Sequence, residues 1–422
     1  MNKTFTLAAA ASCALLLVGC NALPFQHEPD ARAAADEAVV AAIRQKNPSN
    51  FAEGILFWGR DERAAGFRNI DRIYSTRRIR AGVSTRPLEP WPVDLSGIRY
   101  EVDGESFSFG EFVQRPEHVG LLVVQDGRVL YEAYANGNDA SSRWISFSVT
   151  KSITSMLIGA AIQDGYIESV DEPLVRYLPR LRGSGYEGVT IANLLQMASG
   201  VRWNEDYEDP DSDVARAGGS NGMSLARYMA ELPREHEPGE AFNYNTGETN
   251  LVGQLLRSAI GNNASTYLEA KIWQPFGMEH DANWVISPDS LAELGGCCLS
   301  MTLRDYARVG MFALAEGQLD DGSRVLPAGW MDASTAASSS QDGYGYSWWL
   351  ADDHSYAANG IFGQIIQVDP SSNSVIAIHS NTPTAVGSKH RAHIRAASTA
   401  LRTWLRAQQG KAQPAASGRI DS

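Results

Sequence analysis

Positive charge is in short supply in this chain. Lys and Arg number 36 against 49 Asp and Glu, for a net charge of -13. That balance disfavours a nucleic-acid partner, because phosphate binding needs a positive surface. Cysteine is scarcer, with four in 422 residues. Cys13 and Cys20 fall in the first twenty positions, which leaves Cys297 and Cys298 for the body of the protein. Adjacent cysteines have poor geometry for a mutual disulfide, and no spacing here suits zinc. They read as two small buried side chains after Gly295-Gly296, with no chemistry of their own. The eight histidines include no H-E-x-x-H pair, so a metal enzyme is disfavoured and no cofactor is expected. After the first twenty residues no apolar run is long enough to cross a bilayer.

What is present begins with an export signature. Lys3 precedes a short apolar run that closes on Leu17-Val18-Gly19-Cys20. The run suits a signal sequence, and its ending resembles a bacterial lipobox, which implies cleavage and lipid attachment at Cys20. The expected mature protein is therefore exported and lipid-anchored to a bacterial membrane, facing the periplasm or the cell exterior. Residues 21–100 read as a tether followed by an extension packed on the main domain, residues 101–405 as the main domain, and residues 406–422 as a disordered tail.

Strand signals stand at both ends of the main domain. Residues 120–124 and 129–133 flank the turn Asp126-Gly127. Residues 361–368 and 375–379 flank a second turn, and a helix carrying Ile394, Ala397, Leu401, Trp404 and Leu405 on one face follows. The middle is mostly helical and loop-rich. The pattern predicts an α+β fold, with one antiparallel sheet flanked by helices and a mainly helical inserted lobe.

Three motifs carry chemistry. The first is Phe147-Ser148-Val149-Thr150-Lys151-Ser152, followed by apolar residues at helical spacing. Ser148 then begins a buried helix, with Lys151 one turn later on the same side. A serine hydroxyl needs a neighbouring base to become a nucleophile, and a desolvated lysine has the lowered pKa that such a base requires. The second motif is Tyr244-Asn245-Thr246 at the mouth of another apolar helix, where a tyrosine can shuttle a proton if a cation lowers its pKa. The third is Asn359-Gly360-Ile361-Phe362-Gly363-Gln364. Its glycines permit close approach of a substrate, and the N–H of Ile361 can join that of Ser148 in holding an oxyanion.

Taken together, the three motifs resemble the serine β-lactamase-like superfamily, which includes class C β-lactamases, D-amino-acid peptidases, family VIII esterases and 6-aminohexanoate-dimer hydrolases. The resemblance covers about residues 100–405, a span that short chance matches do not produce. It implies a β-lactamase/transpeptidase-like fold and an acyl-enzyme on Ser148. Lys151 would take the serine proton, and Tyr244 would relay a proton to the leaving group. Ile361, Gly360 and Thr246 would lie at the substrate. Thr246 stands where asparagine is usual, and no lysine or arginine shortly precedes Gly360. In β-lactamases that cation meets the substrate carboxylate, so its absence points to a small ester or amide rather than to penicillins. The acidic loop at 205–209 is expected to approach the cleft, with Tyr207 offering a hydroxyl and its carboxylates disfavouring anionic substrates.

Other readings keep part of this pattern. A β-lactamase or D-amino-acid peptidase would use the same residues. A non-catalytic penicillin-recognising lipoprotein would keep the fold without turnover, which the joint presence of Ser148, Lys151 and Tyr244 disfavours. Gly218-Gly219-Ser220-Asn221-Gly222 matches the G-x-S-x-G elbow, but the acidic, polar chain before it is no strand.

Overall fold

The computed structural model describes residues 29–46, 51–217, 222–287 and 290–409. Cys20 and the signal segment, residues 218–221 of the G-x-S-x-G match, and the tail from residue 410 lie outside the described residues.

The core is a seven-stranded sheet. Its order is Trp349–Leu350, Tyr356–Gly360, Gln364–Asp369, Ser374–Ser380, His118–Gln125, Arg128–Tyr134 and Glu89–Pro90. Every pairing is antiparallel except the last. All eight residues of the central strand His118–Gln125 are buried, so both faces are covered. Leu121 and Val123 face the C-terminal helix Lys389–Gln409, packing with Ile394, Ala397, Leu401 and Leu405. Leu122 and Val124 face the other way, onto the cluster that holds Met156, Leu157 and Phe312. The period-two alternation of a strand thus builds two cores, each fully buried leucine contributing about 2 kcal/mol.

The expected α+β layering holds, with two differences of detail. The third motif is no continuous strand. One strand ends at Gly360, Ile361–Gly363 form a tight turn, and the next strand starts at Gln364. Phe362 sits in the left-handed region at φ 58°, which breaks the ladder. The middle of the chain also holds a second sheet, Thr76–Ile79, Ala282–Val285, Leu299–Thr302 and Arg143–Ile145. One of its edges comes from the N-terminal extension, which therefore shares the body's structure. Trp58 and Phe67 of the extension pack with Trp144, Phe147 and Phe362.

The cysteine pair departs from expectation. The Cys297–Cys298 peptide is cis, and the two sulfurs are joined as a vicinal disulfide. A trans peptide points adjacent side chains apart, which is why the sequence suggests two separate thiols.

Three histidines are buried in or against the main sheet, His118 and His379 on its strands and His390 on the C-terminal helix. Burial lowers His118 to about 4, and both His379 and His390 to about 3. Neither ring nitrogen of His118 has a hydrogen-bond partner among the described residues. Each ring has a folded pKa below its unfolded value of about 6.5, so the unfolded chain binds more protons between those values. Stability is complete above about pH 6.5 and falls as pH drops toward the folded values. Each ring contributes up to about 1.4 kcal/mol per pH unit in that window. The melting temperature is therefore expected to fall between pH 6.5 and 5, above the range where most carboxylates titrate. A flat thermal-denaturation profile across that window would contradict this account.

Candidate active site

The nucleophile turn is built where the strand Arg143–Ile145 meets the helix Val149–Gln163. Ser146 donates its N–H to Leu299 O at 2.7 Å, and its hydroxyl lies 2.7 Å from Thr150 Oγ1. Phe147 is then forced to φ 46°, a conformation that side chains beyond glycine adopt rarely. The sharp turn places Ser148 at the helix entrance. Its hydroxyl makes no capping bond.

Lys151 follows one turn later and is 1% exposed. Its Nζ donates to Ser148 Oγ at 3.1 Å, Thr246 Oγ1 at 2.9 Å and Gly296 O at 2.8 Å. Burial lowers its pKa to about 8, against a smaller upward pull from the Glu205 carboxylate. Near neutral pH a usable fraction of the amine is therefore unprotonated, within reach of the serine proton.

Tyr244 lies across from Lys151, its ring centre 5.2 Å from Nζ. Trp349 stacks on it at 5.7 Å. Burial raises its pKa and the Glu205 carboxylate raises it further, against smaller lowering from a hydrogen bond with Ser148 and from Arg391. The expected cation-lowered tyrosine is corrected by this: desolvation outweighs the cation, so the phenol stays protonated and suits a proton donor rather than a base.

Glu205 organises this corner. It accepts hydrogen bonds from Trp203 Nε1, from Tyr207 OH at 2.6 Å, and from both Thr246 Oγ1 and Thr246 N, the last at 3.0 Å. Thr246 is the first residue of the helix Thr246–Ile260, so a carboxylate stands where the dipole favours negative charge. Thr246 thus links Lys151 to Glu205 and does not face substrate alone. The Tyr207 hydroxyl is committed to Glu205, while its ring lines the cleft. Asp206 and Glu208 of the same loop are exposed.

The third motif closes the site. A Cβ added at Gly360 would lie 2.5 Å from Ser146 O, so glycine is needed for this strand end to approach the nucleophile turn. Phe147 and Phe362, both at positive φ, have ring centres 5.4 Å apart. Phe67 of the helix Arg60–Arg68 contacts both, at 5.0 Å and 5.4 Å. This aromatic trio couples the turn before Ser148 to the turn after Ile361.

A cleft of about 520 Å³ opens on Ser148, Tyr207, Tyr244, Gly360 and Ile361. Its far wall carries Arg391 and Arg395 of the C-terminal helix. The expectation of a cleft without a cation near Gly360 is therefore corrected: Arg391 Nη1 donates to Gly360 O at 3.2 Å. The guanidinium comes from a helix 31 positions downstream, which a search next to the motif misses. The i, i+4 spacing of Arg391 and Arg395, with Ile394 between them, was the available signal. A smaller, apolar crevice of about 40 Å³ reaches Ser148 from the other side, past Ile55 and Leu56 of the extension. Among the described residues, no group of three or more His, Cys, Asp or Glu side chains is arranged to hold a metal.

Comparison with known proteins agrees with this geometry. The model of the Beta-lactamase family matches residues 110–401. A 6-aminohexanoate-dimer hydrolase of Paenarthrobacter ureafaciens is 28% identical over 287 residues, which span 62% of this chain and 72% of that one. A beta-lactamase of Pseudomonas fluorescens is 25% identical over 177 residues, 40% of this chain and 47% of its own length. Among solved structures, a Bacillus anthracis protein provisionally assigned as a 6-aminohexanoate-dimer hydrolase superposes with a TM-score of 0.73 at 20% identity. That match covers 83% of this chain and 96% of the other.

Proposed function

The chain belongs to the Beta-lactamase family and is a serine hydrolase, and from that premise we propose that it cleaves small esters and amides through an acyl-enzyme on Ser148. The observation that carries this reading is the buried Lys151 amine, 3.1 Å from Ser148 Oγ with its pKa lowered to about 8. Neutral Lys151 takes the serine proton as Oγ attacks the substrate carbonyl. The backbone N–H groups of Ser148 and Ile361 receive the oxyanion. Tyr244, protonated at neutral pH, gives its proton to the leaving alcohol or amine, and water then releases the acyl group by the reverse proton path.

A fluorophosphonate probe is expected to label wild type. Turnover of p-nitrophenyl butyrate, a linear 6-aminohexanoate dimer and nitrocefin then separates the possibilities. Labelling without turnover of any substrate would indicate a penicillin-recognising sensor and defeat the proposal. A clear preference for nitrocefin would move the reading to β-lactamase. We also propose that the protein is exported and lipid-anchored through Cys20. Metabolic labelling with a fatty acid should be lost in Cys20→Ala, and retention of label would refute the anchor.

A further inference from the structure

We propose that Glu248 is a positioning residue for the reaction, clamping the turn that carries Tyr244 and Thr246 against the loop that leads to Glu205. The inference rests on the serine-hydrolase reading above and extends the machinery behind Ser148. Glu248 is the third residue of the helix Thr246–Ile260 and is 1% exposed. Its Oε1 accepts from Ser199 Oγ, from Asn245 Nδ2 at 3.2 Å and from Tyr186 OH at 3.4 Å. Its backbone N–H donates to Asn245 Oδ1 at 3.0 Å. Both ends of the Asn245 amide are thus held by one residue, and Asn245 stands between Tyr244 and Thr246. Tyr244 is the proposed proton donor, and Thr246 Oγ1 accepts from Lys151 Nζ at 2.9 Å.

Ser199 anchors the opposite side. Its Oγ also accepts from Val201 N at 3.0 Å, and the same loop runs on to Glu205, which holds the Thr246 N–H and hydroxyl. Met197, just before Ser199, lies in the left-handed region at φ 56°. Its carbonyl accepts from Asn243 N at 2.8 Å and its sulfur from Asn245 N at 3.4 Å. Loop and turn therefore meet at one carboxyl. Burying a carboxyl costs stability, so packing alone is a poor reason for it. Burial raises the Glu248 pKa to about 8, with Glu205 adding to the rise and the bonds from Ser199 and Tyr186 opposing it. The group is neutral at pH 7. The contacts agree, since Oε1 takes three donors while Oε2, where the acid proton belongs, has no partner among the described residues. A neutral acid can clamp this corner without adding a second negative charge to Glu205, which already pulls the Lys151 pKa upward. Lys151 thereby keeps the low pKa that a base requires.

The test follows p-nitrophenyl butyrate turnover in wild type, Glu248→Ala and Glu248→Gln, with thermal denaturation beside it. Glu248→Ala should lower kcat about tenfold with KM changed less than about twofold, because Tyr244 and Thr246 shift relative to Ser148. The midpoint of its kcat/KM profile, near pH 8 in wild type, should also move down, since Nζ loses a held acceptor that favours the ammonium. A purely structural loss would lower the melting temperature and leave that midpoint in place. Glu248→Gln keeps the Oε1 acceptor and puts an amide N–H where the acid hydroxyl stood, so it should recover kcat to within about threefold of wild type. An alanine variant with wild-type kcat and midpoint, or a glutamine variant no better than alanine, would overturn the proposal and leave the hydrolase reading standing. Should the alanine variant fail to fold, Ser199→Ala takes its place, with kcat lowered and KM unchanged as the expected result and an unchanged kcat as the overturning one. A wild type that neither cleaves the ester nor takes a fluorophosphonate label would defeat the hydrolase reading, and the positioning role with it.

Discussion

Ser148→Ala is expected to abolish hydrolysis and fluorophosphonate labelling while leaving the melting temperature within about a degree of wild type. The fold loses little, because the Ser148 hydroxyl makes no helix-capping bond, and a missing cap would itself cost only about 1 kcal/mol. The contacts that disappear are the hydrogen bond with Tyr244 and the 3.1 Å bond from Lys151, whose Nζ keeps Thr246 Oγ1 and Gly296 O. Catalysis loses its attacking atom. Removing a nucleophile that acts as a unit with its base lowers kcat by a factor on the order of 10⁵ to 10⁶. Oxyanion donors and substrate binding alone remain. Circular dichroism and thermal denaturation, run beside the ester assay, separate loss of chemistry from loss of fold. A fully active alanine variant would refute the assignment and send the search to Ser220.

Lys151→Met should be the second-largest effect, a loss of about 10³ in kcat with KM much less changed. Methionine fills the buried volume of lysine without the amine. The accompanying pH profile is more specific. If neutral Lys151 is the base, kcat/KM in wild type rises with pH through about 8 and then levels. The variant's residual rate should lack that step. Stability changes with pH in the same direction. The folded pKa of about 8 lies below the ordinary lysine value of 10.5, so the unfolded chain binds the proton more readily between them. Stability therefore rises with pH across that window, and below pH 8 the buried ammonium is a burden of about 3 kcal/mol before its hydrogen bonds are counted. Lys151→Met at pH 7 is thus expected to match or exceed wild type in melting temperature despite being nearly inactive. A variant that changed mainly KM would reassign Lys151 to substrate binding.

The parts of this site that could be read from the sequence are those that local geometry dictates. Ser148 and Lys151 are one helical turn apart, and the apolar residues after them bury the lysine; spacing alone puts the two side chains together. The hairpin around Asp126-Gly127 and the C-terminal helix were visible for the same reason, since a period and a turn signal are short-range properties. Glu205 was not singled out because its role exists only once Trp203, Tyr207 and Thr246 converge on it, from up to 41 positions away. Arg391 was missed for the same kind of reason. The sequence around Gly360 has no nearby cation, but folding brings one from another element. The turn at Ile361 read as strand because Ile and Phe favour strands, whereas tertiary packing holds Phe362 at φ 58°. The second sheet was hidden because its strands, of three or four residues each, are too short to show alternation.

Phe67 stands outside the cleft, on a segment that precedes the span matched by the family model, yet it touches the phenylalanines of both turns that carry the proposed oxyanion donors. A residue that lies outside the cleft is thus a neighbour of both halves of the reaction centre at once. Phe67→Leu is therefore expected to disturb both turns together and to lower kcat more than it changes KM, so distance from the cleft is no measure of influence on it.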